Sequence, residues 1–171
     1  MRELRNALGC YPTGVTILTA SDGEDGMVGI TANSFSAVSL DPPLVLWSLD
    51  ISALSLDAFT GAGYFGVNVL AQSQLDMAQH FATRQKDKFA TVDYEVGEGG
   101  VALLEGCAAR FQCRTVATHD EGDHRVFVGE VVAFEYRPDI EPLVFTHGRY
   151  AEIVGHREIR DPVEMWSEPW I

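Results

Sequence analysis

Thr31, Ala32, Asn33 and Ser34 follow one another, all small and three of them polar. Such a stretch fills a core poorly. Its compact side chains leave the peptide N–H and C=O groups open to a flat polar ligand, and Asn33 and Ser34 add side-chain donors and acceptors. The run continues through Phe35 and Ser39-Leu40 into a rigid Asp41-Pro42-Pro43 turn, then leaves as the apolar segment Leu44-Val45-Leu46. The same residue types also suit an ordinary polar strand end before a turn. Arg84, Lys86 and Lys88 group together and offer either an anion-binding patch or a solvated helix face. The histidines at 80, 119, 124, 147 and 156 show no i, i+4 pair, and Cys10, Cys107 and Cys113 form no CxxC, so no metal site is assigned.

The elements that hold these residues belong to one domain. The chain has 171 residues, 46% of them hydrophobic, enough to bury a real core. The formal charge of −13 excludes a nucleic-acid partner, which needs clustered Lys and Arg. No apolar run approaches the ~20 residues of a membrane span. The segment Met1 to Leu8 lacks a secretory apolar region and looks like a short helix. An odd, scattered cysteine count points to a reducing cytoplasm.

Strands are expected at Gly14–Ala20, Met27–Ser34, Leu44–Leu49 and Tyr64–Leu70, with a polar hairpin loop at Ser21–Gly26. A short helix is expected over Ser55–Phe59, stopping near Gly61. Ser73, with Asp76 three residues on, predicts a second helix running to about Gln85, with Leu75, Ala78 and Ala82 as its apolar line, widened by Met77 and Phe81. Residues 93–106 read as a loop into a strand. Ala108–Thr118 and Val126–Tyr136 alternate and flank the loop His119–His124, so they form a long antiparallel hairpin, and Leu143–Phe145 is a last strand. Six or seven strands with few helices favour a closed antiparallel barrel. There is no GxGxxG after the first strand and no GxxxxGK[ST], so any nucleotide-like cofactor is held another way.

The ordered pieces Pro12-Thr13-Gly14-Val15, Thr31-Ala32-Asn33-Ser34-Phe35, Leu40-Asp41-Pro42-Pro43, Phe65-Gly66-Val67-Asn68-Val69-Leu70, Phe81-Ala82, Asp87-Lys88-Phe89, Leu103-Leu104-Glu105-Gly106, Gly122-Asp123-His124 and Gly148-Arg149-Tyr150 resemble the flavin reductase-like family. Its members are the small reductase components of two-component flavin monooxygenases. The resemblance implies a mainly β, Greek-key split barrel with a few short flanking helices, over residues 1–156. Residues 157–171 would be a tail whose Met165, Trp166 and Trp170 fit a surface on this subunit or on the dimer partner. The resemblance also implies a homodimer that binds FMN or FAD, takes a hydride from NADH or NADPH, and hands reduced flavin to an oxygenase. The alternative on the same barrel is a flavin-binding carrier or sensor that turns over no pyridine nucleotide.

By the same resemblance, Thr31, Ala32, Asn33 and Ser34 would line the isoalloxazine, and Pro12, Thr13 and Gly14 would close one side of it. Ser48, Ser52 and Ser55 would sit near the ribityl chain and phosphate, with Phe81 and Lys88 completing the phosphate end. Asn68 and Phe89, inside the matched motifs, join the cofactor-binding set, as do Arg149 and Tyr150. His124 would face the nicotinamide and orient it. Read as residues alone, Phe81 equally fits a core, Tyr150 a barrel-closing aromatic and His124 a solvated hairpin loop. One departure stands out: where many relatives carry a basic residue after the third strand, this chain has Asp50 and Ile51. A carboxylate there opposes a phosphate.

Overall fold

The structure, a computed structural model, is described for residues 2–23, 26–85 and 87–154; the tail lies outside the described residues. Seven antiparallel strands form the main sheet in the order β3-β2-β6-β9-β10-β5-β4: β2 is Thr16–Ser21, β3 Met27–Ala32, β4 Ser36–Leu40, β5 Pro43–Asp50, β6 Tyr64–Val69, β9 Ala109–Glu121 and β10 His124–Tyr136. A small sheet, β1-β11-β12, joins Thr13–Gly14, Val144–Thr146 and Arg149–Ala151. A third pairs β7, Tyr94–Val96, with β8, Ala102–Leu104. Three short helices flank them: α1, Arg2–Leu8; α2, Leu56–Gly61; and α3, Leu75–Phe81.

The core lies on both faces of β2, so that strand is buried continuously from Thr16 to Ala20 rather than at alternate residues. Leu18 and Ala20 join Trp47, Phe59, Phe65 and Phe127 on one face. Ile17, with Val15 ahead of it, joins Leu70, Ala78, Phe81 and Leu143 on the other. Trp47 stacks on Phe127 at 4.7 Å and takes Phe59 edge-on at 4.8 Å.

Several expectations need correction. The strand expected over Gly14–Ala20 is two, broken at Val15. Its N–H donates to Leu143 O, and its carbonyl accepts from Leu70 N–H, so the chain changes sheets there. The strand from Met27 stops at Ala32, and Ser36–Leu40 forms an additional strand against β5. The expected helix from Ser73 is a 3-10 turn, Gln72–Gln74, followed by α3, which ends at Phe81 rather than Gln85. Gln74 Oε1, not Ser73, accepts the Ala71 N–H, and Thr83 Oγ1 donates to His80 O at the far end. Leu75 and Ala82 are exposed, so the buried line is Ala78 and Phe81. The expected loop His119–His124 shrinks to Gly122-Asp123. Gly122 has φ +63, as the first central residue of a type II′ turn requires, and strand pairing runs up to Glu121↔His124. A second tight turn, His147-Gly148, has positive φ at both positions (49° and 71°), and returns the chain as the unexpected strand β12.

Candidate functional site

Where the edge of the main sheet meets the small sheet, a cleft of about 180 Å³ opens, lined by Val15, Thr31, Ala32, Asn33, Ala82, Phe145 and Tyr150. One wall is β3. It pairs only with β2, so its other edge carries no strand ladder, and the residues it brings to the cleft are small. That wall is held by two side-chain hydroxyls. Thr31 Oγ1 donates to Ala78 O at 2.6 Å, and Thr16 Oγ1 donates to Ala32 O at 2.8 Å. Asn33 is exposed, and its carboxamide makes no side-chain hydrogen bond among the described residues.

The opposite wall is a row across the small sheet. Thr13 pairs with Phe145, and Phe145 with Tyr150, so the three side chains project from one face. Tyr150 meets Phe145 edge-on at 5.4 Å. Thr13 Oγ1 is buried with no hydrogen-bond partner. Its strand partner Phe145 lines the cleft. Gly14, next to it, is exposed, and a Cβ built there would meet nothing within 4 Å. Pro12 is exposed at the entrance to β1.

Beyond the cleft, Ser34 Oγ accepts from Ser48 N–H and donates to Ser48 O, both at 3.0 Å. This bond joins the end of β3 to β5. Two residues along β5, Asp50 pairs with His124 at the tip of the β9–β10 hairpin. His124 Nδ1 meets Asp123 Oδ1 at 2.6 Å, and the imidazole is 44% exposed. Asp50 Oδ1 accepts from both the hydroxyl and the amide of Ser52, at 2.7 Å each. Those hydrogen bonds, the hydroxyl foremost, hold the Asp50 carboxyl below its ordinary value, and the charges of His124 and Arg84 act in the same direction.

The remaining residues are drawn elsewhere. Asn68 is fully buried and stitches strands: its Nδ2 donates to Ile17 O and Ala102 O, and its Oδ1 accepts from Leu104 N–H. Phe81 is fully buried in the second core, and Phe89 packs against it at 5.1 Å. Gly29 makes that possible, because a Cβ there would lie 2.6 Å from Phe81 Cε1. Lys88 Nζ donates to Gly29 O at 3.0 Å and Phe81 O at 2.8 Å, and burial pulls its ammonium below the usual lysine range. Asn68, Phe81 and Lys88 are therefore engaged with the protein's own interior. Arg149 is exposed and, by strand alternation, lies on the face of β12 opposite Tyr150. Ser55 precedes α2 without a side-chain cap bond, and Ser48 is half-buried. The reading of the sequence missed Val15, Ala82 and Phe145 as lining residues. Only the small size of Ala82, just past α3, hinted at one of them.

Comparison with known proteins bears on what this cleft holds. A family model described as "Flavin reductase like domain" matches residues 8–154. The chain is 46% identical over 149 residues to "FMN reductase (NADH) SmoA" of Agrobacterium fabrum, covering 87% of this chain and 84% of that one. It is 38% identical over 154 residues to "Flavin-dependent monooxygenase, reductase subunit HsaB" of Mycobacterium tuberculosis, covering 89% and 82%. It spans 48% and 64% of two further relatives from Rhizobium meliloti, each 42% identical. The solved structure of the Streptomyces globisporus NADH:FAD oxidoreductase SgcE6, in complex with NAD and FAD fragments, superposes with a TM-score of 0.86 at 38% identity. That match covers 91% of this chain and 94% of that one.

Proposed function

The chain belongs to the flavin reductase-like domain family, and from that premise we propose that it oxidises NADH or NADPH and reduces FMN or FAD for a partner oxygenase. The observation that carries this reading is the cleft between the small-residue edge strand at Thr31–Asn33 and the Phe145–Tyr150 pair, with the buried, unpartnered Thr13 hydroxyl on the strand next to Phe145. Bound flavin supplies the hydride-accepting ring. The protein supplies placement, since hydride transfer needs no protein base.

In this reading the amides along the outer edge of β3 and the Asn33 carboxamide donate to the polar edge of the ring, where negative charge grows on reduction. Thr13 gives its hydroxyl to the same ligand, and Phe145 and Tyr150 form an apolar wall. His124, fixed through Nδ1 by Asp123, turns Nε2 toward the nicotinamide. Its task is orientation.

The cleft is smaller than the roughly 300–1,000 Å³ of a closed small-molecule site, and a second subunit would supply the missing wall. Val116, Val132, Phe134 and Tyr136 on the long hairpin, with Val38 and Leu40 on β4, form exposed apolar surface suited to a homodimer. The thiols of Cys10, Cys107 and Cys113 are free, as a reducing cytoplasm would keep them.

The test is steady-state NADH and NADPH oxidation with FMN and FAD, on the native protein and on His124→Ala. The variant should raise the nicotinamide KM about tenfold, the value of one hydrogen bond, and leave the flavin KM within about twofold. Absence of nucleotide oxidation with either flavin would leave the carrier reading in its place.

A further inference from the structure

A thiol and an imidazole meet where α1 leads into β1. Cys10 Sγ lies 3.9 Å from His147 Nδ1 and 3.6 Å from Asn6 O, and both side chains are exposed. The thiol has one proton and two acceptors within reach, one of them a base. The contact is set by the backbone. His147 N–H donates to Gly9 O at 2.6 Å, and Thr146 Oγ1 donates to the same oxygen at 3.4 Å. His147 holds φ +49, an uncommon conformation for any residue but glycine. Asparagine before Gly148 would suit this turn better, so the turn alone does not call for an imidazole.

The pair sits at a joint of the cleft. Cys10 stands three positions before Thr13, and His147 lies between Phe145 and Tyr150, which line the cleft. β1, β11 and β12 form one sheet, so the bonds at Gly9 O fix where the lead into β1 meets the β11–β12 turn. A group attached to Sγ would stand against that joint. Cys107 and Cys113 are buried, so Cys10 is the thiol open to solvent among the three.

We propose that Cys10 and His147 form a thiol-modification site that takes small-molecule disulfides such as oxidised glutathione, and that the adduct displaces the small sheet's wall of the cleft. Nδ1 takes the thiol proton, and the thiolate attacks one sulfur of the disulfide. A Cys10–S–S–R bond forms as the R–S–S–R bond breaks, and the departing thiolate takes the proton from the imidazolium to leave as RSH. Cys10 is oxidised and the small disulfide is reduced. Excess thiol reverses the exchange, so ligand binding at the cleft follows the thiol–disulfide balance around the protein. The modification stands by itself; its effect on flavin rests on the reductase reading above.

The experiment treats native protein, His147→Asn and Cys10→Ser with oxidised glutathione and follows the adduct over time by peptide mass spectrometry. The native chain should gain its adduct at Cys10. In His147→Asn the adduct should form at least about tenfold more slowly at an unchanged Tm, because asparagine keeps the turn and removes the base. Fluorescence titration with FMN should give a Kd about tenfold higher for the modified native protein, reversed by dithiothreitol, and no effect of the treatment on Cys10→Ser. No adduct at Cys10, or equal rates in native protein and His147→Asn, would overturn the site. An adduct that leaves the FMN Kd within about twofold would overturn its link to the cleft. If untreated protein binds no flavin, the reductase reading falls, while the rate comparison still decides the thiol site.

Discussion

Ser34 and Ser48 are joined through a single hydroxyl, which accepts the Ser48 N–H and donates to the Ser48 carbonyl. The contact links the end of β3, one edge strand of the seven-stranded sheet, to β5 near the other edge. A side chain therefore closes the barrel at a point where no strand ladder does. It also uses the only hydroxyl proton of Ser34, so this side chain can accept from a ligand but not donate to one.

Ser34→Ala leaves the half-buried Ser48 amide and carbonyl without that partner. The expected loss is about 1–3 kcal/mol of stability, which for a chain of this size lowers Tm by roughly 3–10 °C. Thermal unfolding followed by circular dichroism measures it, and an unchanged Tm would mean that the barrel closes by other contacts.

Thr13→Val separates ligand binding from folding by sign. The hydroxyl is buried without a partner, so an isosteric methyl should leave Tm unchanged or raise it. Flavin affinity should fall about threefold to tenfold, the worth of one hydrogen bond. A drop in Tm with unaltered affinity would reassign Thr13 to the fold.

Gly14→Val tests the open space beside it. Nothing lies within 4 Å of the added Cβ, and a branched side chain suits a strand, so the protein should fold with its native Tm. Flavin KM should rise at least about tenfold if the ring lies there. Retained flavin binding would move the ligand away from β1.

Acid sensitivity should come partly from Arg110, which is 7% exposed and bonded to both Glu135 and Glu95. The Arg110 hydrogen bond holds the Glu135 carboxyl below its ordinary value of 4.5. A lowered carboxylate stabilises the fold above its unfolded value and loses that contribution as pH falls through the folded one. Stability should therefore decline below about pH 4.5, and Glu135→Gln should flatten that decline in urea unfolding measured from pH 6 downward. Because the Glu135 side chain is half exposed, the effect is a few tenths of a kcal/mol. An identical acid slope in the variant would remove Glu135 as its source.

Thiol titration should separate the cysteines. Burial pushes the Cys107 thiol up to about 11 and Cys113 to about 12, whereas Cys10 is exposed. An aromatic disulfide reagent should modify one thiol per native chain promptly and three after denaturation. Rapid modification of two or three native thiols would contradict the packing around β8 and β9.

Much of this was legible in the residue order because it rests on local pattern. The alternation in Phe111, Cys113 and Thr115 marked the long hairpin, and the small residues at 31–33 fall in the cleft lining, with Ser34 just beyond it. What escaped depended on partners far along the chain. Ser36–Leu40 is exposed along most of its length and becomes a strand only because β5 offers a ladder. His147-Gly148 forms a turn usually marked by Asn-Gly. The helix expected to run on to Gln85 ends at Phe81, whose carbonyl accepts from Lys88 Nζ, as does that of Gly29, 59 positions away from Lys88. The same bond explains why a lysine that reads as an anion contact is engaged with carbonyls instead.

The double burial of β2 has a dynamic consequence. Ile17 and Leu18 belong to different interior clusters, so neither cluster can come apart while that strand stays in place. Deuterium should enter the amides of β2 only when the whole molecule opens, whereas the edges β3 and β4 should exchange far sooner. The ligand wall thus breathes at the rim of a frame that yields only as a unit.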